Sequence, residues 1–222
     1  MRARNHLLAA GAIAIAALAA LSGCRSKGEI VVDEGVGVTA IRSSCPAVGI
    51  PDYTGDVTLF RTPGALTADN FDAVATITNV RSQCNDADTS GKVFASVGFD
   101  VLARRADPHG ARQLRLPFFV TVLRGGSAVI TKRVGTVTVN FADGQERAQA
   151  RGEASATIDR AAATLPVDIR ERITRKRKAG DADAAIDPLA DPQVKAAVAA
   201  ASFEVLVGFQ LDANQLAYNA TR

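Results

Sequence analysis

Tryptophan is absent from the 222-residue chain, tyrosine occurs twice, and aromatics make up 5%. That scarcity removes the usual stacking platforms for sugars and nucleic-acid bases. Histidine is nearly as rare: His6 lies in an apolar leader, so His109 is the single one beyond it. There is no G-x-S-x-G elbow and no H-E-x-x-H pair, so two common hydrolase signatures are missing. A Ser-His-Asp triad would have to be built around His109, in Asp107-Pro108-His109-Gly110. Asp and Pro start turns and Gly ends them, so His109 is expected at a hairpin tip in solvent. Charge of one sign is lacking too. The formal charge is +3, and setting aside Arg2 and Arg4 of the leader leaves 24 basic against 23 acidic residues. Basicity therefore gives no reason to expect a nucleic-acid partner.

What is present starts at the amino terminus. A short basic segment, residues 1–6, precedes an uncharged run over residues 7–20 and then Leu21-Ser22-Gly23-Cys24. The run is short for a membrane span, which needs about 20 apolar residues, and suits a secretory leader. Small residues ahead of a cut let the chain enter a protease cleft extended. The stretch resembles the lipobox signal of bacterial lipoproteins, with Leu21, Ser22 and Gly23 placed before the lipobox cysteine. The resemblance implies cleavage between Gly23 and Cys24, and a diacylglyceryl group on the Cys24 thiol. Palmitate or another acyl chain on the new amine often completes such an anchor. Each buried methylene contributes about 0.8 kcal/mol, so two or three chains anchor where one does not. The plainer alternatives are a cleaved leader with Cys24 an incidental thiol, or an uncleaved apolar helix. Arg25 follows the cysteine, and by analogy with enteric sorting this favours the periplasmic face of the outer membrane.

Removing 23 residues leaves 199, enough for one ordinary domain that buries about 70% of its unfolded surface. Beyond Cys24 only Cys45 and Cys84 remain, an even pair in a chain bound for an oxidising space. They lack the C-x-x-C spacing of redox exchange, and with no clustered His they make a poor metal site. A disulfide is expected.

Residues 24–50 read as a lipidated tether or an extended first strand, residues 51–211 as the folded domain, and residues 212–222 as a tail. Period-two alternation dominates the domain. Val93, Ala95, Val97, Phe99 and Val101 form one inward row, and Leu114, Leu116, Phe118, Val120 and Val122 another. Small residues from Ala148 to Ala156, ending in Ile158, make a third, and Phe203, Val205, Val207, Phe209 and Leu211 a last one. Further strands are expected over residues 57–61, 73–80, 128–133 and 134–141. Seven or eight short strands, each with one polar face, predict a mainly β, antiparallel two-sheet sandwich. A closed barrel is the competing arrangement, though outward Arg and Glu exclude a lipid-facing pore wall. Residues 164–201 break the pattern. Pro166 suits a first helical position, and Asp191-Pro192 an N-cap followed by Pro. A two-helix insertion before the final strand is expected. In the tail, Leu216 and Tyr218 are placed to fold back over a sheet edge.

Two further motifs have bland and sharp readings. Asp86, Asp88, Ser90 and Gly91 match the first positions of a calcium loop, but the position needing a bidentate carboxylate is Val97. A polar turn fits better. Arg175, Lys176, Arg177 and Lys178 form a basic patch that would suit anionic lipid headgroups, yet Asp181, Asp183, Asp187 and Asp191 follow as internal partners. The expectation is a lipid-anchored envelope protein without cofactor, a non-catalytic module touching the membrane and an envelope partner. A ligand carrier with a pocket in the sandwich or beneath the insertion stands second, and an envelope hydrolase third.

Overall fold

The computed structural model describes residues 43–85, 91–178 and 180–222. Cys24, its cleavage site with Gly23, and the loop residues Asp86, Asp88 and Ser90 lie outside them. Two four-stranded sheets face each other. The first runs β1 (Ala47–Gly49), β8 (Phe203–Phe209), β5 (Arg112–Arg124), β6 (Ala128–Phe141). The second runs β2 (Asp56–Phe60), β3 (Phe71–Cys84), β4 (Lys92–Arg105), β7 (Arg147–Asp159). All pairings are antiparallel except β1 with β8. The chain is a β-sandwich, as the alternation predicts.

The inward rows of β4 and β5 are buried throughout, as are Phe203 to Phe209 at every second position of β8. At the centre Phe99 of β4 meets Phe118 of β5 edge to face, with centroids 5.1 Å apart, and joins the sheets. Each ring lies over a glycine on the neighbouring edge strand. Phe99 pairs in register with Gly152 of β7, and Phe118 with Gly135 of β6. A Cβ on Gly152 would stand 2.1 Å from Phe99 Cζ, and one on Gly135 2.7 Å from Phe118 Cζ. Missing side chains on the edges thus make room for the two rings that meet at the centre of the core.

Charged groups fasten the ends. At one end Arg105, 2% exposed, follows Ala103 on the inward row of β4. Its guanidinium donates to the carbonyls of Pro108 and Gly110 in the β4–β5 loop and of Ala142 and Gln145 in the β6–β7 loop, at 2.6–2.8 Å. Both loops cross between sheets, so one side chain holds both crossings. His109 therefore sits on a crossover and not a hairpin tip; it is 90% exposed, as expected, with Nδ1 2.7 Å from Asp107. Arg112 of β5 grips Asp72 of β3 bidentately at 2.7 and 2.6 Å. At the opposite end the Cys45–Cys84 disulfide joins the segment before β1 to the end of β3, and so ties one sheet to the other.

Three expectations are corrected. Residues 128–141 form one strand, because Lys132 and Arg133 interrupt the apolar pattern without ending the pairing with β5. Pro166 precedes the helix it was expected to begin: its ψ of 144° is extended, since the ring fixes φ alone. The tail is a helix, α3 (Ala213–Thr221), started by an Asp212–Gln215 capping box. Tyr218 packs edge to face on Phe60, and the Asn219 amide donates to the carbonyls of Tyr53 and Asp56 at 2.8 Å each. The helix thereby shields β2, an edge strand, while Leu216 stays largely exposed.

Candidate functional site

The insertion before β8 has its own small core. Helix α1 (Val167–Thr174) presents Ile169 and Ile173, one turn apart, to Val194 and Val198 of α2 (Pro192–Ala201). Asp191 caps α2 by accepting from the backbone N–H of Gln193 and Val194. The Arg172 guanidinium, and after it the Gln193 N–H, holds the Asp191 carboxyl below the usual carboxylate range. The same residue thus starts α2 and pins α1 to it.

The expected basic patch is not displayed as one surface. Arg175 and Arg177 both turn onto Asp183, and the Arg177 side chain is only 5% exposed. The Asp181 carboxylate accepts from the Lys178 backbone N–H at 2.9 Å. The acidic block supplies the internal partners that its position in sequence suggests. In the hollow between α1 and residues 183–192, about 830 Å³, the walling cations Arg172, Arg175 and Arg177 are thus already held by Asp191 and Asp183.

A different cleft, about 390 Å³, opens at the disulfide end of the sandwich, beneath the insertion. Four segments build it. Ser43, Ser44 and Cys45 come from the irregular segment leading into β1, and Ala163, Thr164 and Leu165 from the turn after β7. Arg170, Ile173 and Thr174 come from α1, and Val198, Ala201, Ser202, Phe203 and Glu204 from the junction of α2 and β8. Arg160 braces one wall, its guanidinium donating to Ser44 Oγ and the Asn85 carbonyl at 3.0 Å each. Because Ser44 and Asn85 flank the two cysteines, the disulfide and Arg160 fix this wall together.

Most polar groups of the cleft are already engaged. The hydroxyls of Thr164, Thr174 and Ser202 each donate to a backbone carbonyl four residues earlier. Two charges are different. Arg170 and Glu204 have no side-chain hydrogen bond or ion pair among the described residues, with each other or with anything else. The cleft thus offers a mixed, partly polar lining with one cation and one anion, its aliphatic side chains Ile173 and Val198 being packed in the core of the insertion. No group of three or more His, Cys, Asp or Glu side chains among the described residues is arranged to hold a metal ion. Nor is any described helix long and apolar enough to cross a membrane.

Of the site residues expected from sequence, Cys45 and Cys84 meet as a disulfide, and Cys45 takes part in the cleft wall. The cleft lies beneath the insertion, one of the two places where the carrier reading put a pocket, but its two unpaired charges were not singled out from sequence. Its charges are ordinary surface residues in the chain, and only the fold brings α1 and β8 together. Compared with known proteins, the chain matches no family model, no curated protein and no solved structure.

Proposed function

We propose that the protein is a lipid-anchored envelope lipoprotein, a non-catalytic module held by Cys24 and facing the periplasm, on the inner leaflet of the outer membrane. The observation that carries this reading is the inter-sheet disulfide, a bond that persists in oxidising compartments and is rare where thiols are kept reduced. It agrees with a leader and a lipidated cysteine ahead of it in the chain. Between Cys24 and Ser43, the first described residue, lie 18 residues, which extended reach at most about 65 Å. A tether of that length lets the sandwich work on the membrane surface and on partners that stand away from it. The test is fractionation of cells making the native chain and Cys24→Ser. The native chain is expected with the membranes and the variant in the soluble envelope fraction; a variant that stays with the membranes overturns the anchor.

A second reading, a ligand carrier, is favoured by the 390 Å³ cleft, within the range of about 300–1,000 Å³ usual for small-molecule sites. The space between the sheets does not compete, since the hollow there is about 100 Å³.

A further inference from the structure

We infer that the free edge of β6 docks on a bilayer containing anionic phospholipid, with Val129, Ile130 and Val134 entering the headgroup layer and Lys132 and Arg133 meeting the phosphates. The inference goes beyond the anchor, which would hold the chain at a membrane without fixing which face meets it. Val129, Ile130 and Val134 are 64%, 56% and 60% exposed, a concentration of apolar surface that native sheet edges avoid. The strand bulges here: Thr131 pairs with Val122 and Val129 with Leu123, so Ile130 has no partner on β5. Lys132 and Arg133 flank these residues on opposite sides of the strand. The Lys132 ammonium lies 4.8 Å from the centre of the Phe119 ring on the outer face of the sheet, while Arg133 borders the small hollow beside Ser155 and Thr157 of β7. No acidic residue lies on β5 or β6, and the one acid on the strands of this sheet, Glu204 of β8, has β5 between it and β6.

The charges decide what covers the edge. A second copy pairing β6 with β6 would bring two Lys132–Arg133 pairs together, and like charges across a ladder destabilise it. A fluid anionic surface takes both features at once, apolar side chains below the headgroups and cations at the phosphates. The other long edge, β7, lacks the combination: it carries Arg147, Arg151, Glu153 and Asp159, charges of both signs, and exposes no large apolar side chain. Position agrees. Ala128 pairs with Arg124 of β5, and Arg124 with Phe203, so the exposed half of β6 lies at the end of the sandwich where β8 begins. Phe203 lines the same cleft as Ser43 and Cys45, so the segment that leads from Cys24 enters the domain at that end too.

The test uses the Cys24→Ser chain with its disulfide intact, and vesicles of phosphatidylethanolamine with or without phosphatidylglycerol, followed by co-sedimentation. Binding to the phosphatidylglycerol vesicles is expected, weakening as salt rises. A cation at an anionic bilayer contributes about a factor of five, so Lys132→Gln/Arg133→Gln should weaken binding about 25-fold and flatten its salt dependence. Val129→Ser/Ile130→Ser/Val134→Ser should weaken it by roughly tenfold or more with the salt dependence retained. The chain has no tryptophan, so a single one reports its own surroundings. Emission from Ile130→Trp should shift to the blue on these vesicles, whereas that from Leu102→Trp, exposed on β4 of the other sheet, should not. Absence of binding, equal binding with and without phosphatidylglycerol, or variants that bind as tightly as the parent overturn the inference. Self-association that Val134→Lys abolishes also overturns it, and would assign the edge to another strand. Because the chain used carries no lipid, failed docking leaves the anchor intact, and a failed anchor leaves this docking intact.

Discussion

Breaking the Cys45–Cys84 bridge should cost more stability than removing almost any other single contact. The cysteines are 39 positions apart, so the bridge closes a loop of about 40 residues. Chain entropy alone then gives about 4 kcal/mol at 25 °C. The fold adds a local reason for the loss to be felt. Strand β1 is held in its sheet by three register pairs with β8, and the bridge sits two residues before it. Without the bond, that edge strand frays and the segment before it leaves the cleft wall. For a domain of this size 1 kcal/mol corresponds to about 2–4 °C, so the midpoint should fall by about 8–16 °C. Urea and thermal unfolding, followed by circular dichroism, should be measured on the oxidised chain, on the reduced chain and on Cys45→Ser/Cys84→Ser. The last two are expected to agree, with a steeper urea dependence because the unfolded chain is no longer pinched. A loss below about 1 kcal/mol refutes the reasoning.

Arg105→Met should destabilise the fold by about 3–5 kcal/mol in urea, since it strands four carbonyls of two crossover loops that the guanidinium now satisfies. Gly152→Ala should cost about 1–3 kcal/mol, because the new methyl claims the space of the fully buried Phe99 ring, while Gly144→Ala, in an open turn, is limited to the strain of its positive φ. On the acid side, the Arg112 guanidinium holds the Asp72 carboxyl below its ordinary 3.8. A lowered folded-state value stabilises above the unfolded one and is lost as pH falls through it, so stability should drop below about pH 4 and drop less steeply in Arg112→Gln. Asn219→Ala should cost about 1–3 kcal/mol, as it leaves the carbonyls of Tyr53 and Asp56 without their donor.

The sandwich was legible because its inner strands alternate without interruption: five inward residues of β4 and five of β5 are all buried. The edge strand β6 was harder to read. Ala128 to Val134 are exposed on both faces, so the apolar alternation that marks a strand is lost there while the backbone pairing continues. Arg105 carried a signal that periodicity offers but polarity hides. It occupies the inward position two after Ala103, where a charge must find buried partners. Helix α3 carried one as well, since Asp212 followed by Gln215 is a capping box, though nine residues with a short apolar face resemble an ordinary tail. The cysteine pair could be read from number and compartment alone. The lining of the cleft could not, because Arg170 and Glu204 are 34 positions apart and come to one cleft only in the folded chain.

The anchor is the claim on which placement and tether both depend, and one intact-mass measurement addresses it directly. Purified from the membranes of cells making the native chain, the protein should have lost residues 1–23 and begin at a Cys24 that carries a thioether-linked diacylglyceryl group, with or without an amide-linked acyl chain. A mature chain whose Cys24 is an unmodified thiol, or one that still begins at Met1, contradicts the account.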